Sequence, residues 1–157
     1  MSGLARTATL ALLACVALTL VACGGAEERD EKNAYVRQVN AAQAEFAQTV
    51  STVSERITQR SSSSQDRRTL EQFQKAIDDV VTDLRDIDVP GAVEPEHAQL
   101  VKAMSGFGSD IKGAISALSK PTRANIEQAR KTISTAAQTV NVRIQAAIAA
   151  INSKLES

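Results

Sequence analysis

The sequence contains few of the residue types that usually form catalytic or metal sites. Its 157 residues include no tryptophan, one tyrosine, one histidine and two cysteines. A zinc site needs three or four ligands, and no second histidine or free cysteine is present to complete a set formed by His97 with Glu94 and Glu96. No G-x-S-x-G segment accompanies His97 to indicate a serine nucleophile. We therefore predict a non-enzymatic protein with no metal or cofactor, in which His97 is a solvated residue in the first turn of a helix.

The aspartates in the middle of the chain do not have the spacing of a cation site. Asp78, Asp79, Asp83, Asp86 and Asp88 lack the D-x-D-x-D-G arrangement of a calcium-binding loop. Hydrolysis by paired carboxylates would need acids that face each other in a cleft, whereas these fall on the polar side of a predicted helix. The pattern therefore predicts a solvated acidic face.

Both cysteines lie near the N-terminus, in or directly after an apolar run. Arg6 precedes uncharged residues from Thr7 to Val21, a run that is short for a bilayer span. A positive start followed by a short apolar run is typical of an export signal peptide. The run ends in Leu20-Val21-Ala22-Cys23, which resembles the lipobox of bacterial prolipoproteins. Leu13-Ala14-Cys15 is a competing site that would leave only a few apolar residues before it.

The resemblance implies that residues 1–22 are a cleaved signal peptide and that Cys23 carries a diacylglyceryl group. Two or more acyl chains hold a protein stably on a membrane, whereas one holds it only marginally. The expected location is therefore the extracytoplasmic side of the cell membrane, with residues 23–33 comprising the lipidated cysteine and a short acidic tether. An unlipidated secreted protein with a coincidental cysteine is the alternative.

The chain after the signal is close to neutral and retains no cysteine for a disulfide. Residues 1–22 contain one basic residue and no acidic one, so residues 23–157 carry a slight excess of acid. Near neutrality argues against a nucleic-acid-binding protein. With three phenylalanines and one tyrosine, the core must consist mainly of alanine, valine, isoleucine and leucine.

Apolar residues recur at intervals of three and four along residues 34–157, which is the spacing of amphipathic helices. The pattern predicts helices at about 33–60, 65–87, 95–118 and 121–156, the first and last being the longest. Their apolar stripes are Tyr35, Val39, Ala42, Phe46, Val50, Val53 and Ile57; Leu70, Phe73, Ile77, Val80, Leu84 and Ile87; Leu100, Met104, Phe107, Ile111, Ile115 and Leu118; and Ile126, Ala129, Ile133, Ala137, Val140, Ile144, Ala147, Ile151 and Leu155. Four such helices with short connections predict an all-α, antiparallel up-down-up-down four-helix bundle.

Local signals suggest how the second helix begins, ends and is stabilised. The serines at 61–64 predict a loop, and Ser63 with Asp66 is the expected cap pair. Val89-Pro90-Gly91 predicts the end of the helix. Glu71 and Lys75 have the spacing of a favourable ion pair.

Proline and glycine mark the third and fourth helices. Pro95 and Pro121 are expected at their first positions. Gly106, Gly108 and Gly113 disfavour the third helix, which is either continuous or broken near Gly106. If it is continuous, the glycines would allow a neighbouring backbone to approach closely.

The charged residues predict opposite charge at the two ends of the bundle. Acidic residues collect at the end that contains the anchor, and basic residues form a tip at the other end. The predicted basic tip comprises Arg56, Arg60, Arg67, Arg68, Lys120 and Arg123. Arg67 and Arg68 are expected in the first turn of the second helix, where they oppose its dipole.

The helical region broadly resembles small helical lipoproteins of bacteria, actinobacteria especially, whose functions are mostly unknown. The predicted anchor and the shortage of catalytic residue types together favour a lipid-anchored binding or scaffolding module of the cell envelope. The expected partners are the membrane, through Cys23, and an anionic cell-wall polymer or an acidic envelope protein at the basic tip. A carrier that holds a small apolar ligand between its helices is the alternative, although Ala-rich seams usually pack without cavities.

Overall fold

The computed structural model of the protein describes residues 25–56 and 62–156. Its helices are α1 (Ala26–Arg56), α2 (Ser63–Arg85), α3 (Glu94–Leu118) and α4 (Arg123–Leu155), and a short 3-10 helix, Gly91–Val93, precedes α3. The described ranges contain no strand. The prediction of an all-α four-helix bundle is confirmed, whereas Cys15, Cys23, Ile57 and Arg60 lie outside the described residues.

Contacts between helix ends show that consecutive helices are antiparallel. Tyr35, near the start of α1, contacts His97, near the start of α3, and His97 contacts Leu84 at the end of α2. Leu118, at the end of α3, packs with Ala129 near the start of α4. We call the end that holds the start of α1, residues 86–93 and the end of α4 the proximal end. The distal end holds the end of α1, the start of α2, residues 119–122 and the start of α4.

The core follows the predicted apolar stripes closely. All six residues of the predicted second stripe are buried, and the stripe of α1 is buried as far as Phe46. The prediction that Ile133 is a core residue is wrong, because Ile133 is only partly buried at the border between two core clusters. No helix in the described part of the chain is long and apolar enough to cross a membrane.

The three phenylalanines of the sequence meet at one level of the bundle. Phe46, Phe73 and Phe107 come from α1, α2 and α3, and their ring centroids are 5.7 to 6.1 Å apart. Phe107 meets each of the other two rings edge to face, an arrangement that aromatic quadrupoles favour. All three phenylalanine rings of the chain therefore pack together at the place where α1, α2 and α3 meet.

The first helix begins earlier than predicted. It starts at Ala26, so the prediction of a tether over residues 23–33 is wrong for most of that range. Glu27 and Glu28 lie in its first turn, where carboxylates stabilise the positive end of the helix dipole.

The second helix has its cap one residue before the predicted position. Ser62 is the N-cap: its hydroxyl accepts from the backbone N–H of Gln65, and the Gln65 side chain accepts from the backbone N–H of Ser62. This reciprocal pair replaces the predicted pairing of Ser63 with Asp66, because α2 begins at Ser63. The helix ends at Arg85, two residues earlier than expected, and Ile87 remains buried beyond it.

The fourth helix is opened by a threonine rather than by proline. The hydroxyl of Thr122 accepts from the backbone N–H of Asn125, so Thr122 is the N-cap and Pro121 precedes the helix. The hydroxyl thereby satisfies one of the first-turn N–H groups of α4, which have no partner within the helix. Pro95 lies in the first turn of α3, but at its second position, after Glu94.

The predicted ion pair between Glu71 and Lys75 does not form. The ammonium of Lys75 is 2.6 Å from the carboxylate of Asp79, one turn further along α2. Glu71 instead pairs with Arg67, one turn earlier, at 3.5 Å. Each acid thus pairs with the base that precedes it by four residues, and Glu71 does not pair with the base that follows it.

The third helix runs without a break through its glycines. Gly108 lies against α2, and a Cβ atom placed there would be 3.2 Å from Cγ2 of Ile77 and 3.3 Å from Nε2 of Gln74. A Cβ atom at Gly113 would meet no atom within 4 Å. Close approach of α2 therefore explains the glycine at 108. The same reason was expected for all three glycines of the third helix, but it does not explain Gly113.

We predict opposite effects on stability when these two glycines are replaced. Gly113→Ala should raise the free energy of unfolding by about 0.5–1 kcal/mol, because alanine is the better helix former and has space there. Gly108→Ala should lower it, because overpacking costs about 1–3 kcal/mol and the buried Ile77 has little room to move. Urea denaturation of both variants beside the wild type measures the difference. Equal gains in both variants would contradict the close approach at Gly108.

Candidate functional site

Antiparallel packing brings the predicted basic tip to the distal end. Arg56 is the last residue of α1, Lys120 lies between α3 and α4, and Arg123 is the first residue of α4. Arg67 and Arg68 lie near the start of α2. Five of the six predicted tip residues therefore occupy one end of the molecule, while Arg60 lies outside the described residues.

The basic residues of the distal end differ in how far they are already engaged. Nη1 of Arg56 donates to Oε1 of Gln72 at 2.9 Å, and Arg67 pairs with Glu71. Arg68, Lys120 and Arg123 are exposed and form no ion pair within residues 25–56 and 62–156. These last three cations are the ones available to a partner.

Helix dipoles do not account for all of these charges. The prediction that Arg67 and Arg68 lie in the first turn of α2 is wrong: the helix begins at Ser63, so they lie in the second turn and Asp66 lies in the first. Their opposition to the dipole is therefore weak. Arg123, in contrast, is the first residue of α4, whose first turn contains no acid. Its charge is unfavourable for the helix and is not a consequence of capping.

A shallow groove of about 230 Å³ lies between α1 and α2 toward the distal end. Its lining is Gln48, Thr49, Thr52, Val53, Arg56, Gln72 and Phe73. The hydroxyls of Thr49 and Thr52 donate to backbone carbonyls one turn earlier, at 3.1 Å each. The groove thus presents both polar and apolar surface, and Val53 and Phe73 are the apolar residues of its lining.

The acidic residues near the proximal end have the arrangement that the sequence predicted. Asp78, Asp79, Asp83, Asp86 and Asp88 are all exposed. Within the described ranges no three histidine, cysteine or carboxylate side chains are grouped closely enough to hold a metal ion. The prediction of a solvated acidic face is confirmed.

His97 is buried, so the prediction of a solvated histidine is wrong. Only 6% of its surface is exposed. Its Nε2 lies 2.8 Å from the carbonyl oxygen of Leu84, and its Nδ1 lies 3.1 Å from the hydroxyl of Tyr35. A carbonyl only accepts, so Nε2 carries the hydrogen. When the ring is neutral, Nδ1 is an acceptor and the Tyr35 hydroxyl donates to it.

This arrangement follows from how α2 ends. The carbonyl of Leu84 is among the last four of the helix, which have no partner within the helix itself. The first turn of α3 packs beside that end, and its histidine supplies the missing donor. The sequence carried a signal for this position, since His97, Leu100, Met104 and Phe107 follow one another at helical spacing. Leaving histidine out of the apolar stripe was the error.

The environment of Tyr35 stabilises its neutral form. Only 1% of its surface is exposed, and its ring meets that of His97 edge to face at 5.6 Å. Burial raises the pKa of the Tyr35 phenol far above its usual range, and the negative charge of Glu96 raises it further. The folded protein therefore retains this proton at a pH where the unfolded chain loses it.

We predict that the protein loses stability above about pH 10, where an unfolded tyrosine begins to ionise. The raised pKa means that the folded state binds more protons than the unfolded state at that pH, so stability falls as pH rises. Urea denaturation of the wild type at pH 7, 9 and 11 measures this loss.

Tyr35→Phe is the matched variant. It should be less stable at pH 7 by about 1–3 kcal/mol, because Nδ1 of the buried His97 loses its partner. Its stability should fall less between pH 9 and pH 11 than that of the wild type. The same alkaline loss in both proteins would show that Tyr35 does not cause it.

Comparisons with known proteins supply no relative from which a site could be transferred. No protein-family model, no curated protein and no solved structure matches this chain. The function must therefore be argued from the residues and geometry of the chain itself.

Proposed function

We propose that this protein is a lipid-anchored, non-enzymatic binding module on the extracytoplasmic face of the cell membrane. The observation that carries the proposal is the short distance along the chain between two features. The segment resembling a lipobox ends at Cys23, and the helical domain begins at Ala26. An extended chain covers at most about 3.6 Å per residue, so at most about 11 Å can separate the proposed lipid attachment from the first helix.

The start of α1 has the properties of a rigid spacer. Residues 27–31 are exposed, and the first buried residue of the helix is Tyr35. At 1.5 Å per residue, the stretch from Ala26 to Tyr35 is about 13 Å long. A lipid-anchored domain would thus be held off the bilayer by helix rather than by loose chain.

The use of His97 favours binding over catalysis. A histidine that acts as a general acid or base must reach the substrate with a free nitrogen. Both nitrogens of His97 are engaged inside the bundle, with Tyr35 and with the end of α2. The exposed groups of the distal end include Arg68, Lys120 and Arg123, whose positive charge suits the binding of anions.

The groove between α1 and α2 gives little support to a carrier of apolar ligands. Five of its seven lining residues are polar or charged. Its volume of about 230 Å³ is also below the roughly 300–1,000 Å³ of typical ligand pockets. The carrier is therefore the weaker of the two proposals.

We predict that Cys23→Ser abolishes lipidation, because the thioether to the lipid needs the cysteine sulfur. The variant should fail to incorporate an alkyne-tagged fatty acid in the producing bacterium, and protein should move from the membrane fraction to the soluble or secreted fraction.

Cys15→Ser is the matched control, since it removes the other cysteine of the apolar run. It should label and fractionate like the wild type. Continued labelling of Cys23→Ser would refute the proposed attachment site, and loss of labelling in Cys15→Ser alone would assign the lipid to Cys15.

A further inference from the structure

We infer that the distal end binds an anionic polymer of the cell wall, one that carries a phosphate or carboxylate in each repeat. The inference rests on the proposed function in one respect: the lipid anchor is what would place the protein beside the cell wall. The contact would be made by Arg68, Lys120 and Arg123, which lie on three different elements and are exposed. Three separate points of charge suit a chain that passes across the helix ends.

The turns next to this end extend the positive surface. Lys112 on α3 and Arg130 and Lys131 on α4 are also exposed and lie in the distal half. The exposed acids beside these three cations are Asp110 and Glu127, and Glu71 on α2 is already paired with Arg67. A polyanion that follows the surface from the helix ends down α3 and α4 would therefore meet further cations.

Among the described residues of this region no large apolar side chain is exposed, which favours a polymer over a protein. Protein interfaces have an apolar centre that is shielded by a polar rim. Among the described residues the one large hydrophobic side chain that is exposed is Val142, at 66%, and it lies in the proximal half of α4. A charged polysaccharide or polyol phosphate needs no such centre, because its affinity comes from charge.

The chemistry of the three cations fits both kinds of anionic group. Guanidinium groups form paired hydrogen bonds with phosphate and with carboxylate, and an ammonium group acts as a point charge on either. Because the cations are exposed, their attraction is screened by salt over about 8 Å at physiological ionic strength. Binding should therefore be moderate in strength and strongly dependent on salt.

The test uses the full lipidated protein in nanodiscs of zwitterionic lipid, so that the membrane adds no charge. Immobilised poly(glycerol phosphate) and polygalacturonate serve as the phosphate and carboxylate probes. Binding is measured from about 50 to about 300 mM salt, a range that includes physiological ionic strength. Wild-type protein should bind at least one of the two polymers, and its affinity should fall steadily as salt rises. No binding to either polymer at the lowest salt would overturn the inference.

The key variant is Arg68→Glu/Lys120→Glu/Arg123→Glu. It should bind the preferred polymer at least about tenfold more weakly at low salt and lose most of the salt dependence, since the release of counterions scales with the number of contacts. Folding is checked by circular dichroism, and Arg123→Glu should not destabilise α4, because an acid at its first position suits the dipole.

The matched control is Arg37→Glu/Arg85→Glu/Lys102→Glu, which changes net charge by the same amount among exposed residues of the proximal half. It should bind the polymer within about twofold of the wild type, because these residues lie more than a Debye length from the distal end. Equal loss in both triple variants would show that net charge alone matters, and would overturn the assignment to the distal end.

Two further outcomes distinguish polymer binding from the binding of an acidic polypeptide and from a failure of the proposed anchor. Binding to polyglutamate without binding to either wall-type polymer would assign the site to an acidic polypeptide and overturn the polymer. Incorporation into the nanodiscs is measured on the same sample. Failure to incorporate would contradict the proposed anchor, while the unincorporated protein still reports on polymer binding.

Discussion

The bundle depends on how the end of α2 is completed. A helix that stops inside a packed structure leaves carbonyl oxygens without partners, and a buried carbonyl without a donor costs free energy. His97 donates to one of these carbonyls, and Tyr35 in turn donates to His97. Three helices are thereby linked by two hydrogen bonds at a single point. These two bonds help to align α3 with α2, and α1 with both, at the proximal end, beside the packing of the apolar core.

The distal half is held together differently. Its core cluster of Leu70, Ala114, Leu118 and Ala129 comes from α2, α3 and α4. The last fully buried residue of α1 is Phe46, and Val50 and Val53 are only partly buried. The groove between α1 and α2 lies along this same stretch. The first helix is thus packed most firmly near the proximal end, and the exposed basic residues lie where the fold relies on it least.

The sequence predicted most of the fold because the hydrophobic effect acts through a simple period. Residues at intervals of three and four, such as Leu70, Phe73 and Ile77, are buried as expected. Boundaries were less accurate, because neighbouring residues compete for the cap position. Ser62 caps the second helix where Ser63 was expected to do so, and Thr122 caps the fourth, which was expected to begin at Pro121. The period gives no information on such local competition.

The sequence could predict which residues of the candidate site lie at the same end of the bundle, because that depends only on topology. Once the helices are known to be antiparallel, Lys120 and Arg123 must lie at the same end as the start of α2. Pairing was not predictable, because it depends on rotamers: Lys75 had acids four residues away on both sides and contacts Asp79. The role of His97 needed the position of the Leu84 carbonyl in space, which no spacing along the chain supplies.

The unbroken length of α1 has a mechanical consequence. Its 31 residues form a rod of about 46 Å at 1.5 Å per residue, and it passes from the exposed proximal turns to the distal end without a hinge. For a domain held at Cys23, helix length then sets the greatest height above the bilayer that the distal end can reach. Adding four residues to the exposed first turns would raise that end by about 6 Å and rotate it by about 40°. An insertion in these turns would therefore change both the distance of the distal end from the start of α1 and its orientation about the helix axis.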